Sequence, residues 1–272
     1  MRDLHERIGF MSIKPLPRRR LRYRTKKYRS PDGLPTDICI FTITSKARYT
    51  KTKSLPTKQL SVLLIKRIST TFGEQWALPG GFSKESETLD ECAYRELKEE
   101  TNIDRNVHIE QLGTYYKPGR DPRGWIPSVA YVSLVHEDLL AHAKADDDAS
   151  EARLFSVEEA FELQLAFDHR EILTDALARI REKMLQTNIA KAFLPDEFTL
   201  SELLQVIETV VPAFKVSDRG NFERRLLSTT RRQGILEPVL AADGTPLYST
   251  EYSNSPAKLY RFTDYMPVAM IY

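Results

Sequence analysis

At 272 residues the chain is long enough for two domains of ordinary size, and its 41% apolar and 29% charged content excludes a disordered or fibrous protein. No apolar run approaches a membrane span, and no apolar segment follows the basic N-terminus as a secretory signal requires, so a cytoplasmic protein without membrane contact is expected. The formal net charge of +2 hides an asymmetry: residues 1–30 hold eleven Lys/Arg against two Asp/Glu, residues 31–190 twenty against twenty-six, and residues 191–272 nine against ten. An acidic middle suits a metal-binding enzyme domain, and a basic arm suits contact with polyanions.

The arm, residues 1–34, mixes Arg and Lys with Tyr23 and Tyr28, and Pro15, Pro17 and Pro31 break any long helix. Two readings stand for it: contact with nucleic-acid phosphates, or a solubilising or dimer-contacting tail. Ile38–Thr44 and Leu60–Arg67 are β-branched and apolar and read as buried strands. Residues 45–58 between them, polar and with five Lys/Arg and a proline, read as a loop or loose hairpin. Cys39 falls in the first strand and Cys92 on a later helix; neither has metal-ligand spacing, and two buried free thiols are expected.

Trp76–Pro79 leads into Gly80 and Gly81, which allow backbone conformations that other residues resist. A helix is expected from near Glu87–Leu89 to near Thr101. Leu89, Ala93 and Leu97 form its core stripe. Glu96, Glu99 and Glu100 stand at i, i+3 and i+4 and project from one side, where like charges repel. A bound divalent cation relieves that repulsion, and carboxylates without His or Cys favour a hard ion, Mg²⁺ or Mn²⁺. An ordinary acidic surface helix is the competing reading of the triplet.

The wider stretch decides between them. Gly81, Glu87, Arg95, Glu96, Leu97, Glu99, Glu100 and Ile103 together fit the signature of the Nudix hydrolases, which this chain resembles. One position departs: the usual glycine near the end is Asn102, the commonest non-Gly residue in the left-handed conformation that ends a helix. The resemblance implies catalytic roles for Glu87, Arg95, Glu96, Glu99 and Glu100, with Glu96, Glu99, Glu100 and a loop-glycine carbonyl (Gly80) as metal ligands. Arg95 is expected to fix a carboxylate rotamer.

His108–Tyr116 and Val129–Val135 read as strands joined by a loop carrying Lys117, Arg120 and Arg123, cations that suit a substrate diphosphate. Gly80, Gly81, Pro118, Arg120 and Arg123 are the candidate substrate residues; Pro118 lies about where ADP-ribose-cleaving relatives carry a proline. Phe72 and Trp76 are candidates to stack on adenine, and both suit a core. Ala145–Phe155 reads as an acidic turn and strand. Asp168 suits the N-cap of a helix over His169–Lys183, with His169 a capping or structural residue. The expected fold is α+β, a Nudix α/β/α sandwich over residues 35–187.

Residues 188–272 read as a separate unit. Thr199 and Glu202 form a capping box for a helix through Val211, ended by Pro212. Ser217–Thr230 reads as a second helix capped by Asp218, with Phe222, Leu226 and Leu227 inward. Strands at Leu236–Leu240 and Lys258–Phe262 follow. This resembles a winged helix-turn-helix domain, and Arg219, Asn221, Arg224, Arg225 and Arg231 are its candidate DNA contacts. A module used only for dimerisation is the competing reading.

Together the two units resemble the Nudix-related transcriptional regulators of NAD metabolism. That resemblance implies an ADP-ribose-like nucleoside diphosphate derivative as ligand, DNA as partner and a homodimer on two-fold DNA. In that branch the catalytic box is often degraded; here it is nearly intact. Mg²⁺-assisted pyrophosphate hydrolysis and a purely sensory role both stay open.

Overall fold

The computed structural model describes residues 33–46, 53–68, 71–103, 107–140, 149–227 and 233–265. Most of the basic arm, residues 145–148 of the acidic turn, residues 228–230, and Arg231 with Arg232 lie outside them.

Strands β1 (Thr36–Lys46) and β2 (Thr57–Arg67) contain both expected apolar runs and pair antiparallel. The short β3 (Trp76–Ala77) leads through the glycine loop into α1 (Leu89–Thr101). β4 (His108–Tyr115), β5 (Ser128–Leu134) and β6 (Ala149–Ser156) complete a mixed sheet in the order β3-β2-β1-β5-β4, with β6 on β2. Only β1 and β5 pair parallel within it. The chain continues through α2 (Val157–Glu162), absent from the sequence reading, and α3 (His169–Gln186).

Strand alternation explains the layers. Along β1, Cys39, Phe41 and Ile43 point to a core shared with Ile172, Leu173 and Ala176 of α3, whereas Ile38 and Ile40 point to a core shared with Ala93 and Leu97 of α1. The sheet is therefore sandwiched between helices. Cys39 and Cys92 are buried free thiols.

The C-terminal part holds β7 (Phe198–Thr199), α4 (Leu200–Val210), α5 (Arg219–Leu226), β8 (Leu236–Pro238), β9 (Tyr248–Ser249) and β10 (Ala257–Phe262). Its sheet runs β7-β10-β8, with β9 on β10, so two helices are followed by a β-wing. Thr199 and Glu202 make the reciprocal capping box foreseen for α4, and Asp218 caps α5 by accepting from Asn221 N at 3.0 Å. α5 is shorter than the expected 217–230.

The two parts are not separated by a solvent gap. Ile180 and Met184 of α3 belong to the same apolar cluster as Leu203, Ile207, Phe222 and Leu226, so one core runs from the first sheet into the helix pair. Arg181 donates from Nε to the Val210 carbonyl at the end of α4 (3.1 Å), where orphan carbonyls and the helix dipole favour a cation. No helix among the described residues is long and apolar enough to cross a membrane.

Candidate active site and nucleic-acid interface

α1 is fixed at both ends. Thr88 Oγ1 accepts from Glu91 N at 3.2 Å, and the Glu91 carboxylate accepts from Thr88 N at 2.7 Å, a capping box that sequence inspection missed although Thr-x-x-Glu is legible there. At the far end Asn102 adopts φ +60°, the left-handed conformation expected of it.

The loop before α1 is built on glycine geometry. A Cβ at Gly80, which has φ +151°, would lie 2.0 Å from the Thr36 carbonyl oxygen. A Cβ at Gly81 would lie 2.3 Å from Glu96 Oε1. Gly80 thus lets the loop pass against β1, and Gly81 keeps the space before Glu96 clear. Pro79 O and Gly81 O accept from Ile38 N (2.8 Å) and Thr36 N (2.9 Å), bonds that leave out the Gly80 carbonyl between them. Cys92 Sγ, 3.4 Å from Thr36 Oγ1, stitches α1 to the same place.

Arg95 organises the carboxylates. It binds Glu87 through Nε (3.1 Å) and Nη2 (2.8 Å), Glu96 through Nη1 (2.6 Å), Glu99 through Nη1 (2.9 Å), and the Phe82 carbonyl through Nη2 (3.1 Å). Arg95 thus contacts three carboxylates at once. Hydrogen bonding to Arg95 holds the Glu87 carboxyl down at about 2. Burial pushes Glu96 above the usual carboxylate range, against the pull of Arg95. Glu96 and Glu100 are buried. Among the described residues no three His, Cys, Asp or Glu side chains converge as a metal cage, and Arg95 Nη1 bridges Glu96 and Glu99. The donor set nonetheless fits a hard divalent cation: three carboxylates from one helix face, and a glycine where any side chain would press on Glu96.

These residues line a cavity of about 540 Å³ that also includes Gly80, Gly81, Arg120 and Arg123. Arg120 is not a free phosphate ligand. It donates to Asp168 from Nε (2.9 Å) and Nη2 (2.7 Å), to Asp37 (3.3 Å) and to the Ile126 carbonyl (3.2 Å), with its side chain 5% exposed. Asp168 therefore makes no side-chain cap bond to α3, contrary to expectation, because its carboxylate is committed to Arg120. Arg123 is held by Asp121 at 2.6 Å. Pro118 lines a different cavity, with Tyr115 and Glu171. Phe72 and Trp76 pack edge-on against Phe167 (4.8 Å) and Phe155 (4.7 Å).

His169 is structural, as expected. Its Nδ1 accepts from Leu78 N at 2.9 Å, which leaves the proton on Nε2, 3.3 Å from Asp37 Oδ1. Burial works against ionisation of Asp37, but His169, a hydrogen bond from Ser128 and the Arg120 charge outweigh it and bring its pKa to about 2. Asp37, Arg67 and Phe167 all line the cavity and were missed in the sequence. Arg67 closes a predicted strand and Phe167 directly precedes Asp168 at the start of a predicted helix, so both positions were in view without a signal of their chemistry.

On α5, Arg219, Asn221, Arg224 and Arg225 are exposed while Phe222 and Leu226 are buried. The helix thus presents a basic and amide face outward. The fifth candidate, Arg231, lies outside the described residues.

The NUDIX domain family matches residues 55–176. An "ADPR responsive transcriptional repressor NtrR" of Acinetobacter baylyi is 31% identical over 242 residues, spanning 88% of this chain and 85% of the relative. An "ADP-ribose pyrophosphatase" of Methanocaldococcus jannaschii is 42% identical over 118 residues, 43% of this chain and 66% of the relative. The structure of Shewanella oneidensis NrtR complexed with a 27mer DNA superposes with a TM-score of 0.65 at 27% identity, covering 87% of this chain and 98% of that one. With a repressor relative matched over most of both chains and the NUDIX domain over residues 55–176, the chain belongs to the Nudix family, in its branch of NrtR-like transcriptional regulators.

Proposed function

We propose that the cavity takes ADP-ribose or a related nucleoside diphosphate derivative, hydrolyses its pyrophosphate with Mg²⁺, and does so on a chain that binds DNA through α5. The observation that carries this reading is one cavity lined by both the carboxylates of α1 and several arginines, on a chain that resembles an ADPR-responsive repressor over 88% of its length.

Glu96, Glu99, Glu100 and the Gly80 carbonyl are the proposed ligands of Mg²⁺ or Mn²⁺. Bound there, the ion supplies neutralisation of phosphate oxygens and a water of lowered pKa. Arg95 leaves Glu96 and Glu99 for that purpose while keeping its two bonds to Glu87. Glu87 assists through water or as a base. Gly80 and Gly81 hold the loop open beside the diphosphate, and Arg123 faces its charge; Arg120 reaches a phosphate only in competition with Asp168. Pro118, on the neighbouring cavity, bears on substrate through the loop it shares with Arg120 and Arg123. The test is Mg²⁺-dependent AMP release from ADP-ribose, with Glu99→Gln and Glu100→Gln expected to lower it by orders of magnitude. Absence of turnover across a panel of nucleoside diphosphate derivatives rules hydrolysis out.

The exposed face of α5 favours a second reading alongside the first, a DNA-binding regulator with ADP-ribose as effector and little or no turnover. Arg219, Asn221, Arg224, Arg225 and Arg231 are its proposed DNA contacts, in a homodimer on a near-palindromic site. An Arg224→Ala/Arg225→Ala variant is expected to lose DNA retention in gel shifts; unchanged retention removes α5 from the interface. DNA binding is common to both readings; they part on turnover, since a chain that hydrolyses ADP-ribose would erase its own effector and one without turnover would only sense it.

A further inference from the structure

We propose that Phe167 is a positioning residue of this cavity, its ring gathering the guanidiniums of Arg67, Arg120 and Arg123 into one array that receives a diphosphate. The inference rests on the reading of the cavity as a nucleoside diphosphate site.

The ring is ringed by cations. Arg67 Cζ lies 4.9 Å from its centroid, Arg123 Cζ 5.6 Å and Arg120 Cζ 6.0 Å, and all four residues line the cavity. Three guanidiniums around one point repel each other, and the negative faces of an aromatic ring offset part of that repulsion. Each guanidinium also has an anchor that sets its direction: the Thr71 carbonyl for Arg67 (3.3 Å), Asp121 for Arg123 (2.6 Å) and Asp168 for Arg120 (2.7 Å). The cations are thus drawn to a common centre from two places in the fold, Arg67 from the end of β2 and Arg120 and Arg123 from the β4–β5 loop.

The backbone supports a dedicated role. Phe167 has φ +51° and its edge-on partner Phe72 has φ +55°, left-handed values that aromatic residues rarely adopt. Such conformations persist where the surroundings over-determine them, and they cluster at ligand clamps. Here Ala166 N donates to the Trp76 carbonyl (2.9 Å) and His169 Nδ1 accepts from Leu78 N (2.9 Å), pinning the segment on both sides of Phe167. The simpler alternative is apolar packing with Phe72, Ile65, Ala77 and Ala166. Leucine would serve that role equally well; only an aromatic ring serves the first.

The experiment therefore compares Phe167→Leu, which keeps apolar bulk, with Phe167→Tyr, which keeps the ring. Calorimetric titrations of the full chain use inorganic pyrophosphate and ADP-ribose as separate probes. Phe167→Leu is expected to bind both about tenfold more weakly, and Phe167→Tyr to stay within about threefold of wild type. Wild-type affinity in Phe167→Leu overturns the proposal, as does a Phe167→Tyr as weak as Phe167→Leu. Should Phe167→Leu fail to fold, the Arg67→Gln and Phe167→Tyr variants decide: weaker pyrophosphate binding in Arg67→Gln together with near wild-type binding in Phe167→Tyr supports the array, and no loss in Arg67→Gln or an about tenfold loss in Phe167→Tyr overturns it. A wild-type chain that binds pyrophosphate but not ADP-ribose refutes the nucleotide reading while the Phe167 comparison still stands. One that binds neither refutes both.

Discussion

At the scale of single residues, charge compensation decides the state of the site. Arg95 binds Glu87, Glu96 and Glu99 at once, so the repulsion foreseen between Glu96 and Glu99 is met by a side chain of the same helix. The two loop glycines separate structure from chemistry. Gly80→Ala forces a Cβ into backbone at 2.0 Å and is expected to destabilise the fold by more than ~2 kcal/mol in urea denaturation. Gly81→Ala meets only the tip of Glu96, so it is expected to leave the denaturation midpoint nearly unchanged and to weaken Mg²⁺ binding in calorimetry. Asp37 carries the clearest pH signature. Its folded pKa of about 2 lies below the ordinary 3.8, so its contribution is present in full above the ordinary value and is lost as pH falls through about 2. The difference corresponds to about 2 kcal/mol near neutrality. Asp37→Asn should show that loss in urea denaturation at pH 7, with the gap to wild type narrowing as pH falls below 4. A gap that is constant with pH refutes the assignment.

At the scale of elements, capping explains where helices begin, and competition for one carboxylate explains an exception. α1, α2 and α4 each start at a Ser or Thr paired with a Glu three residues on, and each pair closes as a capping box. Thr199→Ala is expected to cost about 1 kcal/mol of stability, measured by chemical denaturation. α3 has Asp168 in the capping position, yet that side chain serves Arg120. Strand and helix positions were legible because apolar alternation and the 3.6 period survive in this sequence; the box itself was legible because it is a dense local motif. What stayed hidden was long-range. Nothing local in residues 165–169 announces that Phe167 meets Arg67, Arg120 and Arg123, since those contacts join residues 44 to 100 positions apart. The same holds for Asp37 and His169, and for the commitment of Arg120 to Asp168.

At the scale of the whole molecule, α3 begins at the cavity with His169 and packs its far end into the α4–α5 core. Arg181 fastens that end to α4 through the Val210 carbonyl. The continuity of the apolar core across residues 187–188 was not legible in the sequence, because contacts between α3 and the α4–α5 pair leave no local composition signal. The exposed α5 face leads to the expectation that DNA affinity falls steeply with salt, and that Arg224→Ala/Arg225→Ala lowers the slope by about two. Hydrolysis and sensing both require the cavity to hold the same ligand, so the measurement bearing most directly on the account is a calorimetric titration of ADP-ribose into the full chain, first in EDTA and then in Mg²⁺. The account predicts saturable binding of one ADP-ribose per chain; no saturable heat in either condition would contradict it.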